Sequence, residues 1–224
     1  SRDLSRHAQQ QGADAIATLA PGFFRPATIA ELIDWCAPVA AAAPKLPFYF
    51  YHMPSMVGAG FPMAEFLPKA AQKIPNFAGI KYTHDNLMDF GNALAAAGRR
   101  YSVMAGRDEI LLSYLALGAT GAVGSTYNYA APIYQRLIAA HVAVDQPEPH
   151  KSQALARAFL DVMIKRGGMS ANKAMMGLVT GIDCGPPRLP LQPLGSARIA
   201  ALRSGLRDVG FFAALTEAKD AVGA

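Results

Sequence analysis

Phe77-Ala78-Gly79-Ile80-Lys81-Tyr82-Thr83 is a short apolar run with one lysine near its end. The turn signal Pro75-Asn76 precedes it and polar His84-Asp85-Asn86 follows it. Four to eight apolar residues bounded by turns read as a buried parallel strand. A lysine on such a strand loses hydration, which disfavours its charged form. A neutral lysine is a nucleophile and can form a Schiff base with a carbonyl substrate. The same lysine also reads as a side chain that snorkels from the strand end into water. The heptapeptide alone leaves both readings open.

Working outward, strands are expected at 14–20, 47–52, 101–105 and 121–125, besides 77–83. Helices are expected over 2–12, 29–42, 63–73, 85–97 and 110–117. Thr28 and Glu31 have the spacing of a capping box at the start of the second. Strands alternate with helices and no hairpin signal interrupts them, so the strands are parallel and joined by helical crossovers. That order fits a barrel or an open doubly wound sheet. No GxGxxG follows any strand, which weakens a dinucleotide-binding reading. After Asn128 the pattern turns helical, with helices expected over 132–144, 150–165, 171–180 and 197–211. Gln146-Pro147-Glu148-Pro149 reads as a break, Gly185-Pro186-Pro187-Arg188-Leu189-Pro190 as a rigid segment, and the tail to Ala224 as small and polar. The division expected is a βα part over 1–145 and a helical extension over 146–224.

Composition narrows the function. Over half of the 224 residues are hydrophobic and 17% are charged, which suits a large buried core. The net charge of +5 is scattered, with Arg99-Arg100 and Lys165-Arg166 as its longest runs, so nucleic acid is not an expected partner. No apolar run reaches the length of a membrane span, and no signal-peptide core opens the chain. Cys36 and Cys184 stand far apart outside any CxxC pattern and read as free thiols of a reducing, cytoplasmic compartment. The five histidines show no metal-ligand spacing.

Sites in parallel α/β folds form at the strand C-termini. That edge carries Phe23 and Phe24, Tyr51, Lys81 and Thr83, then Gly106, Asp108 and Glu109, then Ser125. Residues two apart on a strand share a face, so Lys81 and Thr83 point one way, as do Tyr49 and Tyr51. Tyr51 is the candidate proton carrier beside the lysine, or else a core aromatic with its hydroxyl at the edge. Asp108-Glu109 could bind the hydroxyls of a polyol, or simply begin the helix at Ile110 as acidic residues do. Ser125 and Thr126 could bind substrate, or only edge a loop.

Gly79-Ile80-Lys81-Tyr82-Thr83, preceded by Tyr51-His52-Met53-Pro54, resembles the pyruvate-dependent Schiff-base aldolases, the superfamily of (β/α)8 TIM barrels that contains the dihydrodipicolinate synthases and the N-acetylneuraminate lyases. Gly106-Arg107-Asp108-Glu109, Gly124-Ser125-Thr126-Tyr127-Asn128 and Gly185-Pro186-Pro187-Arg188-Leu189-Pro190-Leu191 resemble the sialic-acid-cleaving branch. The likeness runs from about residue 2 to residue 210. It implies Lys81 as the Schiff-base lysine and Tyr51 as the proton-transfer group. It implies Thr83, Gly106, Asp108, Glu109 and Ser125 as contacts to the sugar tail. The implied reaction is cleavage of N-acetylneuraminate to N-acetylmannosamine and pyruvate, with no metal or cofactor, in a homo-oligomer that is a tetramer. A dihydrodipicolinate synthase or another pyruvate-dependent aldolase is the alternative. The synthases, however, use a tyrosine relay in the loop that here reads Phe23-Phe24-Arg25-Pro26, and Phe24 has no hydroxyl. The family barrel has eight strands against five expected here, and its carboxylate-binding Gly-Ser/Thr-Thr-Gly-Glu motif has no counterpart. The resemblance therefore implies a barrel lacking its first strands, part of a longer chain or a truncated product. An inactive barrel that only associates with other subunits is the non-enzymatic alternative.

Overall fold

The computed structural model describes the backbone of residues 1–145 and 147–222 and the side chains through residue 218. The chain divides into two compact units, Ser1–Arg107 with Ser113–Val123, and Asp108–Leu112 with Gly124–Ala224.

The first unit alternates helix and strand, in the order α1 (Arg2–Gln10), β1 (Ile16–Leu19), α2 (Ile29–Ala41), β2 (Phe48–His52), α3 (Pro54–Val57), α4 (Met63–Lys73), β3 (Phe77–Tyr82), α5 (Leu87–Ala97) and β4 (Ser102–Ala105). The strands pair in sequence order, β1-β2-β3-β4, and every pairing is parallel. The Thr28 hydroxyl accepts from the Glu31 N–H at 3.2 Å, and Glu31 reaches back to the N–H of Ala27 at 2.7 Å, one residue before the expected partner. The amide of Asn76, in the turn before β3, faces the carbonyls of Ala40, Ala43 and Leu46, with the shortest approach 2.8 Å to Leu46. That pins the α2–β2 connection against the start of the lysine strand.

One sheet face is closed by an aromatic core. Phe48, Phe50 and His52 on β2 and Ile80 and Tyr82 on β3 are buried, with Phe66 of α4 and Phe90 of α5 against them. Alternate residues Tyr49, Tyr51 and Lys81 are only half-buried. The lysine strand is thus covered on one face within this unit, where the sequence predicts burial of the strand as a whole. Gly79 has a close-contact reason to be glycine, because a Cβ there would lie 2.0 Å from the Ser102 carbonyl oxygen of β4.

The expected strand at 121–125 is reduced to one parallel bridge between Ala105 and Ala122. The Ala105 N–H donates to Gly121 at 3.0 Å and its carbonyl accepts from Val123 at 2.8 Å. Glycines at 121 and 124 bracket the segment, and the chain turns at Ser125 before further ladder bonds form. A 3-10 turn (Asp108–Ile110) leads into α6 (Leu111–Ala116), where a helix from Ile110 is expected.

The second unit is helical: α7 (Tyr127–Val142), α8 (Pro147–Gly167), α9 (Met169–Thr180), α10 (Ser196–Asp208) and α11 (Phe211–Val222). The break predicted through Pro149 does not occur. Pro147 and Pro149 sit in the first turn of α8, where a missing N–H costs nothing. Gln146 lies outside the described residues. The last helix is not the one ending near 211, and the tail is not a polar appendage. Gly210, at φ 73°, separates α10 from α11, which buries Phe211, Leu215 and Ala218. Phe211 meets Phe159 of α8 with ring centroids 4.8 Å apart.

Candidate functional site

Tyr51, Lys81, Thr83 and Gly106 belong to the first unit, and Asp108, Glu109 and Ser125 to the second.

In the first unit the register places Leu19, Tyr51, Lys81 and Met104 in one row across the four strands. Tyr51 and Lys81 are therefore neighbours on the half-buried face. The lysine Nζ stands 3.9 Å from the centroid of the Tyr51 ring. Beyond the row, the Thr83 N–H donates to the His52 carbonyl and the Gly106 N–H to the Tyr82 carbonyl, both at 2.8 Å. These bonds extend the sheet past its strand ends and fix Thr83 and Gly106 beside the lysine strand. A Cβ on Gly106 would lie 2.0 Å from Thr83 Oγ1. The Thr83 hydroxyl is buried and has no hydrogen-bond partner among the described residues. An unpaired buried hydroxyl next to the lysine strand is suited to a hydrogen bond with a bound hydroxyl. Phe23 and Phe24 are 88% and 83% exposed and pack edge to face.

On the opposite face of the sheet, His52 follows Tyr51 directly. It is 1% exposed, and neither ring nitrogen has a partner among the described residues. Burial first, and then the neighbouring His84, push its pKa down to about 3. His84 places Nδ1 3.0 Å from an Asp85 carboxylate oxygen. Metal-ligand spacing among the histidines does not single out His52. Strand alternation could have done so, because it puts His52 on the core face with Phe48 and Phe50. Tyr82 anchors the adjacent helix ends. Its hydroxyl reaches Asp89 Oδ2 at 2.9 Å, and Asp89 Oδ1 accepts from the N–H of Met63, the first residue of α4, at 3.0 Å.

In the second unit Asp108 is 5% exposed. Its Oδ2 accepts from the Thr126 hydroxyl at 2.5 Å and the Thr126 N–H at 3.2 Å, and its carbonyl accepts from Gln153 Nε2 at 3.1 Å. Thr126 gives its one hydroxyl hydrogen to the carboxylate, so the Tyr134 hydroxyl, 2.8 Å away, donates to Thr126. Burial, and then the Asp108 charge, hold the Tyr134 phenol well above its ordinary pKa. Gly124 makes room for this carboxylate, since a Cβ there would be 1.8 Å from Asp108 Oδ1. Asp108 thus orders the 124–126 turn, and Thr126, an open choice in the sequence, is its partner. Glu109 is half-buried. Ser125 is exposed, accepts from Asn128 Nδ2 at 3.0 Å, and borders a cavity of about 340 Å3 with Tyr129, Asn172 and Arg188.

Among the described residues no helix is long and apolar enough to cross a membrane, and no three His, Cys, Asp or Glu are placed to hold a metal ion.

The family model of the dihydrodipicolinate synthetases matches residues 1–208. N-acetylneuraminate lyase of Mus musculus is 43% identical over 213 residues, which are 94% of this chain and 67% of that protein. The solved structure of Proteus mirabilis N-acetylneuraminate lyase superposes with a TM-score of 0.89 at 36% identity, covering 94% of this chain and 70% of that one. A catalytic-lysine mutant of Ruminococcus gnavus sialic acid aldolase does so with a TM-score of 0.84 at 26% identity, covering 98% and 70%. The parallel sheet with its crossover helices is thus part of a TIM barrel, and the chain spans about two thirds of the length of the relatives it matches. A family match over nearly the whole chain, together with a lyase relative at this identity, shows that the chain belongs to the dihydrodipicolinate synthetase family.

Proposed function

We propose that this protein is a lyase that cleaves N-acetylneuraminate to N-acetylmannosamine and pyruvate through a Schiff base on Lys81. The observation that carries the reading is the pairing of Lys81 with Tyr51 on adjacent strands, Nζ 3.9 Å from the ring centroid. Relatives named as N-acetylneuraminate lyases, and a sialic acid aldolase with a catalytic lysine, supply the substrate class. Lys81 attacks C2 of the open-chain keto acid, and water leaves as the imine forms. Tyr51, together with the substrate carboxylate, takes the proton of the C4 hydroxyl. The C3–C4 bond breaks, and its electron pair flows into the protonated imine. N-acetylmannosamine departs, the enamine is protonated at C3, and hydrolysis releases pyruvate and the free lysine. The imine is the electron sink, so the scheme calls on no metal or cofactor.

Thr83, Gly106, Asp108, Glu109 and Ser125 are assigned to the hydroxyl-bearing tail. In this reading Asp108 acts partly by holding the 124–126 turn and Glu109 by contact. A dihydrodipicolinate synthase activity is disfavoured by Phe24, which cannot carry a proton relay. Assembly is proposed as a homotetramer, with exposed Phe23 and Phe24 as apolar contact surface, and the location as cytoplasmic.

The test is borohydride trapping with pyruvate, read by intact mass and peptide mapping. A stable adduct on Lys81, absent in Lys81→Ala, is expected. A folded sample that yields no adduct, or a Lys81→Ala variant that still turns over, overturns the mechanism.

A further inference from the structure

The second unit holds a cavity of about 500 Å3, within the range of small-molecule sites, that the proposed lyase chemistry does not use. Three segments wall it: α9 with Ser170 and Lys173, the connection carrying Asp183 and Cys184, and α10 with Arg203. Leu178, Leu194 and Ile199 make its apolar side.

Its polar lining is biased toward an anion. Lys173 gives one hydrogen to the Pro186 carbonyl at 2.8 Å and keeps two. Arg203 is exposed and makes no ion pair among the described residues. Asp183, the one carboxylate of the lining, accepts from the Gly185 N–H at 2.8 Å. Ser170 is 8% exposed, and its hydroxyl has no partner among the described residues although it borders the cavity. The exposed free thiol of Cys184 is in the same wall.

We propose that this cavity is a thiol-modification site at which Cys184 exchanges with an anionic low-molecular-weight disulfide of the glutathione disulfide class. Lys173 and Arg203 receive the carboxylates of the incoming disulfide, Ser170 donates to one of them, and the apolar wall takes its methylenes. The Cys184 proton passes to solvent and Sγ attacks one sulfur of the disulfide. A new S–S bond forms as the old one breaks, and the departing thiolate carries the electron pair and is protonated by water. One thiol and one disulfide give one mixed disulfide and one thiol, with no other oxidant. Cys36 does not compete, because it is 0% exposed and burial pushes its thiol up to about 12.

The test compares the rate of Cys184 with a dianionic aromatic disulfide, 5,5'-dithiobis(2-nitrobenzoate), and with neutral 4,4'-dithiodipyridine on the full chain. Focusing by the two cations should favour the dianion, and the Lys173→Met, Arg203→Met double variant should lose about tenfold of that preference. Arg203→Lys should retain most of it. In the unaltered protein the preference should fall as salt rises, while the neutral reagent is unaffected. Glutathione disulfide should then add one glutathionyl group, mapped to the Cys184 peptide. A preference that is insensitive to salt, or unchanged in the folded double variant, overturns the proposal, as does an adduct that maps elsewhere. All these readouts are independent of lyase turnover, so failure of the lyase reading leaves them intact.

Discussion

The Lys81 Nζ lies over the face of the Tyr51 ring, 3.9 Å from its centroid, not beside its hydroxyl. Parallel pairing of β2 and β3 puts the two residues directly across from one another. A cation over an aromatic face gains about 0.5–1 kcal/mol where solvent reaches it. The lysine is thus held against the face of the ring, and the phenol oxygen lies at its rim.

Face and hydroxyl can be separated by Tyr51→Phe. The ring that holds the lysine stays, so borohydride should still trap pyruvate on Lys81. Turnover of N-acetylneuraminate should fall by about 10²–10⁴, the usual contribution of a positioned proton carrier. Equal loss of trapping and turnover would place the role of Tyr51 in holding Lys81. Unchanged turnover would remove it from the mechanism.

Gly106 and Thr83 give a second pair of opposed outcomes. A Cβ at position 106 would stand 2.0 Å from Thr83 Oγ1 and 2.8 Å from the Tyr82 carbonyl oxygen. The hydroxyl can rotate away, but the carbonyl is held in the β3 ladder. Gly106→Ala should cost about 1–3 kcal/mol in chemical denaturation, as overpacking does. Thr83→Val removes a buried hydroxyl without a partner, so stability should hold or rise slightly. If that hydroxyl binds the sugar tail, the same variant raises KM. Thr83→Val with lower stability and unchanged KM would assign the threonine to packing.

Much of this was legible in the sequence because it depends on local pattern. The aromatic run Phe48-Tyr49-Phe50-Tyr51 and the apolar run around Gly79 and Lys81 mark two strands without tertiary information, but they do not show that one face of the lysine strand stays half-buried. The departures have physical causes of longer range. Prolines 147 and 149 read as a break, since a helix tolerates proline without cost only in its first turn, and where that turn falls depends on the packing of α8 as a whole. Phe211 reads as a helix end until Phe159 of α8 is there to pack against it. Segment 121–125 has strand composition but only one bridging residue, because the chain turns at Ser125 and Thr126 before the ladder extends. Within the site, the Asp108–Thr126 bond links residues 18 apart, which no spacing rule connects.

His52 predicts an acid limb in stability. In the unfolded chain it takes a proton near pH 6.5, while in the fold its pKa is about 3. Above pH 6.5 neither state is protonated and His52 adds no pH dependence. As pH falls from about 6.5 toward 3, the unfolded state binds the proton and the folded state does not, so stability is lost, by up to about 1.4 kcal/mol per pH unit. The rings of Tyr82 and His84 pack against it, and Asp89 lines the same cavity. Denaturation of the parent and of His52→Phe between pH 5 and 7 should give a steeper slope for the parent. Parallel slopes would mean that His52 is protonated in the fold.

Asp108 and Glu109 are adjacent in sequence and should separate cleanly in experiment. Asp108 is 5% exposed, and one of its oxygens takes both the N–H and the hydroxyl of Thr126. Asp108→Ala strands those two donors and should cost about 2–3 kcal/mol, which lowers Tm and disturbs Ser125 through the shared turn. Asp108→Asn keeps an acceptor for Thr126 and should recover most of the stability. Glu109 is half-buried, so Glu109→Ala should leave Tm nearly unchanged. Its effect is expected in catalysis, as a raised KM for N-acetylneuraminate with borohydride trapping of pyruvate unaffected, because pyruvate has no tail to bind. A Glu109→Ala variant with unchanged KM would remove Glu109 from the proposed tail contacts.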